Sequence, residues 1–195
     1  ANNAMDLGKV NEDLSLLRKA IRIDPLLDIN YYHLGIIYCW LSRFDEALKA
    51  IEKYNRTKPD AAIQHTTVSF LLIRQGKIQE ALKESIKESN PLWKLFTQHG
   101  VFFALGDKTM ADSLLAQFIE KYGSCHPVTL AYMYAYRKEL DNAFKWLEVA
   151  YEQRHPNLIM KLNYTYFRNL HNDPRWAVFI KKMDFPEGHW LLELI

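Results

Sequence analysis

The chain has 195 residues, 49% of them hydrophobic and 13% aromatic, and a formal charge of +2. That is enough apolar material for one domain with a buried core or for a short array of repeats, and it argues against disorder. The near-balanced charge lacks the basic field that draws proteins onto nucleic acid, and no run approaches the ~18 apolar residues of a membrane span.

Taken in chain order, the elements repeat. YYHLGIIY sets Tyr31, Leu34, Gly35 and Tyr38 at i, i+3, i+4 and i+7, one face of a helix. After a break at LSRFD, a second helix carries Ala47, Ile51 and Tyr54 and is stopped by Pro59. The second-helix pattern returns in GKIQEALKESIKES around Ala81, in GDKTMADSLLAQFIEKYG around Ala111 and in KELDNAFKWLEVAYEQR around Ala143. Upstream, GKVNEDLSLLRKAIRIDP has the same pattern with Asp13 at the alanine position, as far before Ala47 as Ala47 is before Ala81. The first helices also share a small residue, as Gly35, Ser69 or Ala131. Glycine inside a helix costs about 1 kcal/mol against alanine, so Gly35 is read as a packing residue at a close helix crossing. Toward the C-terminus, Pro156 breaks the chain. Asp173 and Pro174 then start a helix with Trp176, Phe179, Ile180 and Met183 on one face. Beyond Pro186–Gly188, HWLLELI is apolar enough to need a partner, on this chain or on a second protomer.

Chemistry-bearing residues are scattered. None of the seven histidines forms an H-x3-H or H-E-x2-H pair. His126 follows Cys125 directly, and sequence neighbours on a helix point apart, whereas a nucleophile and its base must meet. Cys39 and Cys125 are read as buried structural thiols. The glycines are singletons, so no phosphate-cradling loop exists. The expectation is a chain that is no enzyme and needs no metal or cofactor. With no basic-then-apolar leader at its start, it is expected in the cytoplasm.

Tyr31-x2-Leu34-Gly35-x2-Tyr38, Ala47-x3-Ile51 and Pro59 resemble the tetratricopeptide repeat, a helix-turn-helix whose period the alanine spacing approaches. The resemblance implies an all-α, right-handed solenoid of antiparallel helix pairs with a C-terminal capping helix. Its divisions would be a partial first repeat over 1–27, repeats over 28–61, 62–91, 92–123 and 124–155, and a capping helix with an apolar tail over 156–195. Ala47, Ala81, Ala111 and Ala143, with Gly35, would be its packing positions. The concave face, on which the family binds ligands, would carry Tyr32, Ile36 and Trp40 from the first full repeat. Phe70 and Arg74 follow from the next, then Trp93, Phe96 and Phe103, then Tyr132 and Tyr136. Tyr32, Ile36, Trp93 and Phe96 cannot hold a carboxylate by charge, so the expected partner is a protein or peptide with an apolar or amphipathic segment. The stretch AFKWLEVAYEQRHPNL, followed by LHNDPRWAVFIKKM, is also similar to the end of tetratricopeptide regions in bacterial signalling proteins such as class III adenylate or guanylate cyclases. That likeness implies a regulatory C-terminal region, monomeric or homodimeric, with any cyclase domain outside this chain. The alternative is a homo-oligomerisation module whose own tail fills the groove.

Overall fold

The computed structural model describes residues 7–57, 64–162 and 167–185, with side chains in those spans except at residues 7–11, 40, 64, 160 and 161. Regular structure there is entirely helical, without a strand among the described residues. The helices are α1 (Leu7–Ile23), α2 (Ile29–Trp40), α3 (Phe44–Thr57), α4 (Gln64–Arg74), α5 (Ile78–Ile86) and α6 (Pro91–Leu105). They continue as α7 (Lys108–Tyr122), α8 (Pro127–Tyr136), α9 (Leu140–Glu152), the short α10 (Leu158–Lys161), a 3-10 turn η1 (Arg168–Leu170) and α11 (Pro174–Lys182). No described helix is long and apolar enough to cross a membrane. Ala1, Pro59, Ile63 and the apolar tail from Pro186 lie outside the described residues.

One turn recurs between α2 and α3, α4 and α5, α6 and α7, and α8 and α9. Ser42, Gly76, Gly106 and Lys138 each take the left-handed conformation, at φ 57°, 77°, 82° and 62°. The next amide then closes on the carbonyl five residues back, as Arg43 on Tyr38, Lys77 on Leu72, Asp107 on Phe102 and Glu139 on Tyr134, at 2.8–3.0 Å. This satisfies carbonyls that a helix end leaves open. The carbonyls of Arg43, Lys77, Asp107 and Glu139 in turn accept from Ala47, Ala81, Ala111 and Ala143 and begin the next helix. Each of those alanines has no exposed surface.

By their contacts the described helices divide into two compact units, 1–114 and 115–195, and the division falls within α7. In the first, α2 packs on α3 and α4 on α5, while α6 packs on both α4 and α5 and α1 packs on α2. A Cβ on Gly35 would stand 2.6 Å from Ile51 Cδ1, so the glycine is what lets α2 and α3 meet there. Ile51, only 1% exposed, anchors a core with Leu14, Ile37, Tyr38, Ala50 and Leu71. Burial of a side chain of that size is worth about 1.5–3 kcal/mol. In the second unit, α8 and α9 enclose Ala131, Ala143, Leu147 and Ala150, and the later segments add Leu162, Phe167, Leu170, Trp176, Phe179 and Ile180. The Asp173 carboxylate caps α11 by accepting from the Arg175 amide at 3.0 Å.

The cysteines depart from expectation. Cys39 is partly covered, and burial pushes its thiol up to about 11. Cys125 is exposed because it sits in the turn that leaves α7, its amide bonded to the Tyr122 carbonyl.

Candidate functional site

The expected groove residues fall into separate settings, and three of them meet. Helices α4 and α6 approach closely because Gly100 has no side chain: a Cβ there would stand 2.8 Å from the Phe70 ring. The Phe70 and Phe96 rings lie 5.2 Å apart, and Trp93 meets Phe96 edge-on at 5.7 Å, a favourable arrangement for aromatic pairs. Phe96 is buried, whereas Phe70 and Trp93 are half-buried.

One turn before Phe70 runs a buried polar network. The Thr66 hydroxyl donates to Glu88 Oε2 at 3.0 Å and lies 2.7 Å from the Thr97 hydroxyl, which reaches the Trp93 carbonyl at 2.7 Å. Glu88 Oε1 accepts from the Asn90 amide at 3.1 Å, and Asn90 caps α6 by accepting from the Leu92 and Trp93 amides. Hydrogen bonds of this kind are costly to break in a low-dielectric interior, so they fix α6, and Trp93 with it, against α4 and α5. At the edge, burial alone would raise the Glu84 carboxyl, but hydrogen bonds from Lys87 and His65 outweigh it and hold the group below its usual range.

The other predicted positions are engaged elsewhere. Tyr32 packs on Tyr54 of α3 at 5.3 Å, and burial raises its phenol. Ile36 turns toward α1, where it lines a cleft of about 400 Å³ with Asp13, Leu16, Leu17, Ala20, His33 and Ile37. Arg74 sets its guanidinium 5.2 Å from the centre of the Phe44 ring. Phe103 stacks on His99 at 6.4 Å. The backbone of Trp40 ends α2, and its side chain lies outside the described residues. Tyr132 and Tyr136 belong to the second unit, one turn apart with rings at 6.3 Å, and Tyr132 meets Phe167 edge-on.

Sequence reasoning missed the Thr66–Glu88–Thr97 network and the cleft beside α1. The first has no local pattern to find, since its members come from two helices and the stretch between α5 and α6. The second left a signal: Asp13 occupies the position that is alanine in every other second helix.

In the second unit, His171 stacks on Trp176 at 4.7 Å, and burial, helped by Arg168, pushes the imidazole down to about 4. Hydrogen bonds from Arg175 pull the Asp173 carboxyl down to about 2. Arg175 also bonds Asp141 at 2.6 Å and covers the Phe144 ring, tying α11 to α9. Among the described residues, no group of three His, Cys, Asp or Glu could hold a metal ion. No protein-family model matches the chain, and no curated protein matches it.

Proposed function

We propose that this chain is a protein-binding domain of the tetratricopeptide type that makes and breaks no bonds. It holds an apolar or amphipathic helical segment against the aromatic side chains of α4 and α6. The observation that carries this reading is the pair Phe70 and Trp93, half-buried and fixed in place by Phe96, Gly100 and the buried network of Thr66, Glu88 and Thr97. Large aromatic rings held rigidly at a surface are what binding hot spots are made of, because little conformational freedom is lost on contact. An amphipathic helix suits such a surface, with anchors at i, i+3, i+4 and i+7.

On the resemblance in its repeats and its last third, the array is read as a right-handed solenoid. It would serve as the regulatory C-terminal region of a larger cytoplasmic signalling protein of bacteria, passing occupancy to a catalytic domain elsewhere. The test is fluorescence anisotropy of the full chain with a panel of labelled amphipathic peptides. Trp93→Ala is expected to weaken the best binder by at least about tenfold, or about 1.4 kcal/mol, with the helical circular-dichroism signal preserved. Equal affinity for the variant and the parent contradicts the assignment.

A further inference from the structure

Charge in the first unit is sorted by helix. The carboxylates of its helices lie in α1, α3 and α5, whereas α2, α4 and α6 contain no Asp or Glu. The Lys and Arg of those three helices are Arg74, the last residue of α4, and Lys94 in α6. Lys94 is half-buried and donates to the Ile86 carbonyl at the end of α5, at 3.4 Å. Arg74 is exposed. Its guanidinium lies 5.2 Å from the centre of the Phe44 ring, and it has no ion pair among the described residues. The carboxylate beside Phe44 is engaged elsewhere, since Asp45 Oδ1 accepts from the Gln75 side-chain amide at 2.9 Å. Arg43 and Lys87, by contrast, pair with Glu46 and Glu84.

The contacts between α4 and α6 order Arg74 with the aromatic rings. Thr66 meets Thr97 and Phe70 covers Gly100, so the two helices run in the same direction. Trp93 stands two turns before Gly100, and Arg74 one turn after Phe70. Trp93, Phe70 and Arg74 therefore follow one another along about three turns of the helix pair, roughly 16 Å.

We propose that the helical segment held by Phe70 and Trp93 is acidic. It sets apolar residues two turns apart on the two rings, and an Asp or Glu one turn beyond the residue on Phe70, paired with Arg74. The inference rests on the binding role given to Phe70 and Trp93 and adds the charge of the partner. A guanidinium already held against an aromatic ring loses little freedom when it meets a carboxylate, and its planar N–H donors match that group. Helices without a carboxylate offer nothing to a Lys or Arg on the bound segment, so a basic amphipathic helix is disfavoured.

The test uses the full chain and two labelled helical peptides of about 20 residues, both with Leu at i and i+7. One has Glu at i−4 and i+11, so that an acid meets Arg74 whichever way the helix lies, and the other has Gln at those two places. Anisotropy should give saturable binding of both, with the Glu peptide about three- to fivefold tighter at low salt and the gap closing as salt rises. Arg74→Glu should abolish that preference and favour a peptide with Lys at the same two places, with the helical circular-dichroism signal preserved. Equal affinity of the parent chain for the Glu and Gln peptides, or a preference for Glu that survives Arg74→Glu, overturns the proposal. If Trp93→Ala still weakens both peptides in that case, the binding role of the rings stands without it. No saturable binding of either peptide overturns both.

Discussion

Phe70 and Trp93 in the first unit, and Phe167, Trp176 and Phe179 in the second, are all aromatic residues on helical segments, yet the first pair is only half-buried while the other three are 2% exposed or less. The difference comes from the chain beyond the hairpin. After α9 it returns across its own unit: Asn169 of η1 donates to the Ala135 carbonyl at 2.9 Å, Tyr151 donates to the Lys182 carbonyl at 3.3 Å, and Lys182 pairs with Glu148. Those contacts press α11 onto α9 and close the core over Trp176 and Phe179. In the first unit, α4 and α6 are each succeeded by another helix of the same series, and their aromatic rings pack on one another. One sequence signal therefore has two structural outcomes, decided by segments far along the chain.

Truncating one ring from each setting should separate the two outcomes most widely. Trp176→Ala should lower unfolding stability by about 3–5 kcal/mol, as truncation of a covered core aromatic does, whereas Trp93→Ala should cost roughly 1 kcal/mol. Denaturant midpoints for the two variants measure this, and equal losses would erase the distinction. Gly35→Leu comes next. Its Cβ alone would press on Ile51, and overpacking of that kind costs about 1–3 kcal/mol, so an unchanged melting curve would remove the close crossing of α2 and α3.

A pH effect should arise from the covered end of the second unit. His171 has its pKa lowered from 6.5 to about 4, so the folded chain favours the neutral ring while the unfolded chain takes up a proton below 6.5. Stability from this group is full above pH 6.5 and falls as pH drops toward about 4. Asp173 acts in a lower window, because its contribution is present above 3.8 and lost toward about 2. Melting temperatures measured from pH 7 to pH 4 should therefore decline, and His171→Phe should flatten that part of the curve.

Smaller changes, alike in both units, are expected at the recurrent turn. Ser42 and Lys138 hold the left-handed position that Gly76 and Gly106 hold without a side chain. Ser42→Gly and Lys138→Gly should each raise stability by a few tenths to about 1 kcal/mol, and destabilisation by either would sink the idea of one shared turn.

What was legible in the sequence is what local chemistry sets. Ala47, Ala81, Ala111 and Ala143 mark the second helices because only a small residue fits their position, and Asp173 with Pro174 announces α11 through its cap. Gly35 is legible for the same reason, since the cost of a helical glycine asks for a close contact. Coverage was not legible. Ile36 and Phe70 occupy the same place in successive first helices, yet one faces α1 and the other Gly100, because the neighbouring elements differ. Cys125 shows the same limit: apolar neighbours in sequence did not bury a residue that falls in a turn.

The most direct test of the division between a binding surface and a closed core is fluorine NMR of the full chain carrying 5-fluorotryptophan, titrated with the tightest amphipathic peptide and assigned by Trp→Phe variants. A binding surface at Trp93 and a closed core at Trp176 predict a saturable shift of the Trp93 signal while the Trp176 signal stays in place. A silent Trp93, or a Trp176 that moves with it, would contradict that division.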